Sequence, residues 1–260
     1  MGRSPVRRTL RDVVYGVYER RLARRLDPRQ MPRHVGVMID GNRRWAKALG
    51  GGTADGHQAG ADRLLEFLGW CDDAGVRIVT VYLLSTDNLR RADVELQPLL
   101  RIIENLTVAI GATGRWRVRP IGALDLLPAA TARRLKEVEN ASRDVEGTTV
   151  NLAIGYGGRQ ELADAVRSLL HEHAARGSSL EELAELIDVE HIAEHLYTAG
   201  QPDPDLVIRT SGEQRMSGFL LWQSAHSEFF FCDALWPNFR RIDLLRALRS
   251  YAARERRFGA

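Results

Sequence analysis

His34-Val35-Gly36-Val37-Met38-Ile39-Asp40-Gly41-Asn42-Arg43-Arg44-Trp45 is the stretch on which the reading of the chain turns. Its branched, apolar start over 35–39 has the length of a buried strand. Asp40 then falls at the strand's C-terminal end, where open α/β sheets place their ligand chemistry. Gly41 permits a tight turn or close approach of backbone to a ligand. Asn42 is a candidate N-cap for a short helix through Trp45 and Leu49. Backbone N–H groups at that helix start, with Arg43 and Arg44 beside them, suit a phosphate. Asp40 repels a phosphate unless a divalent cation, Mg²⁺ above all, stands between them. The competing reading is an ordinary strand, loop and helix with a solvated basic turn, and the local pattern leaves both open.

Working outward, the totals bound the rest. The 260 residues, 44% hydrophobic and 27% charged, suit one large domain with an extension. We divide them into a basic amphipathic helix over 1–30 and a single catalytic domain over 31–260. In the first part Arg3, Arg7, Arg8, Arg11, Arg20, Arg21, Arg24, Arg25 and Arg29 alternate with apolar residues at helical spacing. That helix either lies on anionic lipid as a peripheral contact or packs on the domain with its basic face in water. No apolar run reaches bilayer length and no secretory h-region stands at the start, so a cytoplasmic location is expected. The two cysteines, Cys71 and Cys232, read as reduced core thiols. A net charge of +3 admits an anionic partner, but no nucleic-acid-binding signature is visible, so no nucleic acid is expected.

Further strands are predicted at 76–84, 116–121, 148–154, 205–208 and 228–232, with helices between them. The fold class is therefore α/β: a central six-stranded, mostly parallel sheet flanked by helices. Gly50-Gly51-Gly52 and the residues to His57 read as a mobile loop, a lid or phosphate flap, before a helix opened by His57. Four strand ends carry polar loops: Asp40 to Arg44, Ser85 to Arg91, Gly155 to Arg159 and Arg209 to Ser217. A parallel sheet brings all four to one rim. Their arginines, hydroxyls and glycines suit two phosphate groups and a metal better than a peptide or sugar, because arginine's planar fork matches phosphate oxygens.

These residues resemble the cis-prenyltransferase, or undecaprenyl diphosphate synthase, family. The resemblance rests on His34 to Lys47, Gly56-His57, Ser85 to Asn88, Gly155 to Arg159, Asp205 to Ser217, Phe219 to Gln223 with Glu228, and Arg256 to Gly259. It implies a transferase that condenses isopentenyl diphosphate with an allylic diphosphate and forms a Z double bond. It implies Mg²⁺ on Asp40, with Glu228 as a second metal ligand. Gly41, Asn42, Arg43, Arg44, Trp45, His57 and Arg91 are implied on the allylic diphosphate side. Ser85 and Asn88 are implied near the reacting centre, and Arg209, Arg215 and Ser217 at the isopentenyl diphosphate site. Arg257 and Gly259 resemble an element that reaches the partner's site in homodimeric members, so a homodimer is implied. The family grows its product in an apolar tunnel between sheet and helices.

The departures point to product length. Thr53 stands where many long-chain members carry an arginine, and Leu89 where an aromatic is frequent. Leu83, followed by Leu84, occupies a tunnel position that is usually small in long-chain members. A bulky residue there stops growth early, so the expectation is a short-chain enzyme making (2Z,6E)-farnesyl diphosphate from geranyl diphosphate. The alternatives are a medium- or long-chain synthase and a non-catalytic accessory subunit. His191-Ile192-Ala193-Glu194-His195 also fits an inverted zinc-protease pattern, but Pro202 and Pro204 interrupt the helix that would bring a further ligand.

Overall fold

The computed structural model describes residue 16 and residues 18–254, and Arg257 and Gly259 lie outside them. The helical run at residues 18–23 is labelled α1. Then come β1 (His34–Met38), α2 (Asn42–Ala48), α3 (Thr53–Asp73), β2 (Ile78–Ser85), α4 (Asp93–Ala112), β3 (Arg117–Ile121), α5 (Ala129–Ala141) and β4 (Thr149–Tyr156). They are followed by α6 (Gly158–Ala175), α7 (Leu180–Leu186), α8 (Val189–Ala193), β5 (Leu206–Arg209), β6 (Glu228–Phe231) and α9 (Arg241–Ala252).

The strands form one six-stranded sheet in the order β3-β4-β2-β1-β5-β6, and every ladder in it is parallel. β1 lies between β2 and β5, so the chain leaves it toward one edge and returns on its other side. Such a switch point opens a crevice beyond the strand ends. One face of the sheet carries the main core, in which Val37, Val81, Ile154 and Ile208 pack with Leu64, Phe67, Leu100, Ile103 and Leu248. The other face packs a smaller cluster, Met38, Ala153, Tyr156 and Val207 with Phe219 and Leu220. Because both faces are covered, the strands read as continuous apolar runs.

The flap expected before His57 is mostly helix. Only Gly50 to Gly52 are irregular, and α3 begins at Thr53. Asp55 Oδ2 accepts from the Gly52 N–H at 2.8 Å and holds that start. Gly56 serves packing: a Cβ there would stand 2.2 Å from the Asn42 carbonyl oxygen. α1 is docked, with Leu22 buried against Ile242 and Leu245 of α9. Among the described residues no helix is long and apolar enough to cross a membrane. Cys71 is buried, Cys232 is half-buried, and both are free thiols.

Candidate active site

Beyond the strand ends lies a cavity of about 740 Å³, within the usual range for small-molecule sites. Asp40, Gly41, Asn42, Arg43, Arg44, His57, Leu83, Leu84, Ser85, Asn88, Arg91, Arg209, Arg215 and Ser217 all line it. Trp45 and Glu228 do not.

β1 and β5 end side by side, with Met38 opposite Arg209, and this register sets the centre of the site. Arg209 is only 4% exposed; its Nε and Nη2 donate to Asp40 Oδ2, each at 2.9 Å. Its Nη1 donates to Ser217 Oγ at 2.9 Å and to the Arg215 carbonyl. The Thr210 hydroxyl meets the carbonyls of Met38 and Asp40, tying the two strand ends together. Gly41 is left-handed, with φ at 104°. A Cβ there would lie 2.9 Å from Leu235 Cδ2 and 3.0 Å from Leu235 Cα, so the close approach is to the chain itself.

Asn42 is not the cap. Gly41 holds that position, while Asn42 Nδ2 turns back to the Ile39 carbonyl at 3.2 Å. Trp45 is not among the lining residues and donates from Nε1 to Asn238 Oδ1 at 2.9 Å. It fastens α2 to the turn Trp236–Asn238.

The cations are held apart by carboxylates. Glu95 Oε1 accepts from Arg91 Nη1 at 2.8 Å and from Arg43 Nη1 at 3.5 Å. Glu213 pairs with Arg44 at 3.5 Å and with Arg215. Asn88 Oδ1 accepts from Arg91 Nη2 at 2.8 Å, and Ser85 Oγ accepts from the Asn88 N–H at 3.1 Å. His57 Nε2 is buried with no hydrogen-bond partner. Burial, with Arg91 and Arg43 adding to it and Glu95 opposing, lowers the His57 pKa to about 4, so the imidazole is neutral near pH 7. With Lys47, the lining holds six basic side chains against the carboxylates of Asp40, Asp87 and Glu213. A buried imidazole nitrogen without a partner, set among arginines, fits an anion with several oxygens.

A diphosphate-bound divalent cation keeps several waters and takes one or two protein carboxylates. Asp40 suits that role: its side chain is 40% exposed, and only Oδ2 is engaged by Arg209. Among the described residues no group of three or more His, Cys, Asp or Glu side chains could hold an ion by itself. Glu228 does not complete the set within one chain. It pairs in register with Leu206 at the opposite end of β5 and β6, and forms an ion pair with Arg254. Five residue steps separate that level from Asp40, on the order of 15 Å. The sequence pattern could not show this, because a short strand carries its two ends to opposite rims.

The apolar part of the lining comes from Ala61 of α3, Leu83 and Leu84 of β2, and Leu99, Ile102, Ile103 and Leu106 of α4. Leu99, Ile103 and Leu106, which belong to the main core, thus also face this space. Lys47, Tyr82 and Glu213 line the cavity without having been assigned a role from sequence. Glu95 escaped notice too, although its spacing four residues after Arg91 is a signal for such a pair. Gly155 to Arg159, read as one of the polar rim loops, contributes nothing to the lining. His191 lies against Asp188 at 2.6 Å, whereas His195 bonds Ser168 Oγ at 2.9 Å and nears Glu172 at 3.3 Å. The two histidines thus face different partners.

A family model described as putative undecaprenyl diphosphate synthase matches residues 38–259. A (2Z,6E)-farnesyl diphosphate synthase of Thermobifida fusca is 61% identical over 251 residues, 96% of this chain and 98% of that one. A short-chain Z-isoprenyl diphosphate synthase of Mycobacterium bovis is 50% identical over 254 residues, 96% of this chain and 97% of that one. The crystal structure of lavandulyl diphosphate synthase from Lavandula x intermedia, in complex with dimethylallyl diphosphate, superposes with a TM-score of 0.81 at 32% identity. It covers 88% of this chain and 98% of that one.

Proposed function

The chain belongs to the undecaprenyl diphosphate synthase family, and on that premise we propose that it joins isopentenyl diphosphate to geranyl diphosphate and releases (2Z,6E)-farnesyl diphosphate. The observation that carries this reading is one cavity lined both by the arginines and His57 and by apolar side chains of α3, β2 and α4. In the reaction the allylic C1–O bond breaks and C1 bonds to the terminal alkene carbon of isopentenyl diphosphate. A proton then leaves C2 of isopentenyl diphosphate, forming the Z C2=C3 double bond, and the allylic diphosphate departs as inorganic diphosphate.

Arg43, Arg44, Arg91 and His57 hold the allylic diphosphate in this assignment, and Arg209, Arg215 and Ser217 hold the isopentenyl diphosphate. Glu95 and Glu213 keep the exposed arginines in place until phosphate oxygens replace them. Mg²⁺ on Asp40 supplies charge stabilisation to the departing diphosphate. Ser85 ends β2 and Asn88 follows in the next turn; in this assignment both face the reacting carbons, and Asn88 also holds Arg91. The hydrocarbon tail enters the apolar part, and Leu83 limits its length. The names of the relatives support a short product. The same proposal includes a homodimer, completed by Arg257 and Gly259 of each copy, acting in the cytoplasm.

The test is turnover of labelled isopentenyl diphosphate with geranyl diphosphate. Asp40→Asn keeps an oxygen for the buried Arg209 and removes the charge. It is expected to lower kcat/KM by about a thousandfold while the melting curve stays close to wild type. EDTA is expected to stop the wild-type reaction and Mg²⁺ to restore it. Near-full activity in Asp40→Asn would overturn the assignment.

A further inference from the structure

Gly155 to Arg159 ends β4 at the same rim as the site yet does not line the cavity; it carries the segment that does. The chain from Arg209 to Leu220 is contorted. Ser211, Ser217 and Leu220 have φ of 73°, 48° and 47°, and Gly212 and Gly218 are also left-handed. Side chains rarely adopt such backbone, and it persists only where the surroundings hold it.

What holds its far end is the β4–α6 corner. The Gly158 N–H donates to the Gly218 carbonyl at 2.9 Å. A Cβ at Gly158 would come within 2.4 Å of that oxygen and 2.6 Å of Leu221 Cβ. The Leu220 N–H donates to the Tyr156 hydroxyl at 3.1 Å. That hydroxyl in turn donates to Glu161 Oε2. The other oxygen, Oε1, accepts from the Tyr197 N–H at 3.0 Å and from Gln223 Nε2 at 2.9 Å. Tyr156 and Glu161 are 0% and 1% exposed. No ion pair reaches Glu161 among the described residues; its partners are hydrogen-bond donors. A carboxylate buried without a cation is a costly arrangement, and every donor it collects braces the turn or the residues behind it.

We propose that Tyr156, braced by Glu161, is a positioning residue for the isopentenyl diphosphate site. It fixes the turn from Ser217 to Leu220, and through it the angle at which Arg209, Arg215 and Ser217 face the cavity. This rests on the assignment of those three residues made above.

Tyr156→Phe removes one oxygen and keeps the ring. It frees the Leu220 N–H and leaves Glu161 a donor short. The KM for isopentenyl diphosphate is expected to rise about tenfold. The KM for the allylic diphosphate is expected to stay near wild type, while the melting temperature falls by a few degrees, because a buried N–H and a buried carboxylate each lose a partner. Glu161→Gln, which keeps the shape but offers one acceptor oxygen where two are used, is expected to raise the same KM less. Arg215→Ala tests the underlying assignment. If it leaves the KM for isopentenyl diphosphate unchanged, the site is misassigned and the positioning role falls with it. If Arg215→Ala raises that KM while Tyr156→Phe does not, the positioning role alone is wrong. A Tyr156→Phe enzyme that loses kcat and melting temperature without a change in that KM overturns the positioning role in the same way. Should Tyr156→Phe not fold, the split between the two KM values in Glu161→Gln decides the matter.

Discussion

Arg209 serves Asp40, Ser217 and the Arg215 carbonyl through one planar fork, almost entirely out of water. A lysine offers a single point of charge on a flexible stem and cannot span those acceptors. Arg209→Lys is therefore expected to raise the KM for isopentenyl diphosphate by about ten- to a hundredfold and to lower the melting temperature, since it leaves the Ser217 turn short of a donor. Equal KM values in the two enzymes would refute this. The residue types at this scale were legible, because aspartate, arginine and serine at these spacings have few other uses together. Their partners were not. Trp45 and Asn42 carry polar groups that could equally meet a ligand or the chain. The structure gives Trp45 to Asn238 and turns Asn42 Nδ2 to the Ile39 carbonyl, leaving Asn42 Oδ1 buried without a partner.

Among the elements, β2 bears most on product length. Its pairing with β4 runs Tyr82 to Ala153, then Leu84 to Ile154, then Ser85 to Tyr156. Leu83 is the extra residue on one strand, and Gly155, at φ 60°, is the compensating one on the other. The bulge places Leu83 and Leu84 on the same side of the sheet, so both reach the cavity. They differ in burial: Leu84 is 1% exposed and belongs to the core, whereas Leu83 is only partly buried against it. Leu83→Ala is expected to lengthen the extracted prenyl products at little cost in stability. Leu84→Ala is expected to cost about 2–5 kcal/mol, read from denaturant unfolding. An unchanged product distribution in Leu83→Ala would show that another residue sets chain length. Strand positions were readable from their apolar runs to within a residue or two, but alternation alone sends Leu83 and Leu84 to opposite faces. A bulge depends on the partner strand, which lies far away in sequence.

For the molecule as a whole, two imidazoles are stored in neutral form. His34 Nδ1 donates to the Pro202 carbonyl at 2.7 Å, so Nε2 accepts from the Thr80 hydroxyl at 2.7 Å, and Asn151 Nδ2 donates to the same Thr80 oxygen at 2.9 Å. Burial lowers the pKa of His34, as of His57, from 6.5 to about 4. Between those values the unfolded chain binds protons that the folded chain refuses, so stability is full above pH 6.5 and falls as pH drops toward 4. The loss is on the order of 3 kcal/mol for His34 and less for the partly exposed His57. Melting temperature should decline steadily from pH 6.5 to 4.5, and a flat profile would show that neither ring is held neutral. The sequence by itself determined the alternation of strands and helices and the cluster of phosphate-binding residue types, because periodicity and side-chain chemistry are local properties. Only the tertiary structure decided that Glu228 sits at the far rim from Asp40, that α3 starts at Thr53 and leaves His57 Nε2 buried without a partner, and that Gly155 to Arg159 bonds the Gly218 turn rather than lining the cavity. Those outcomes depend on strand register and helix crossing, which are set by contacts between segments distant in the chain.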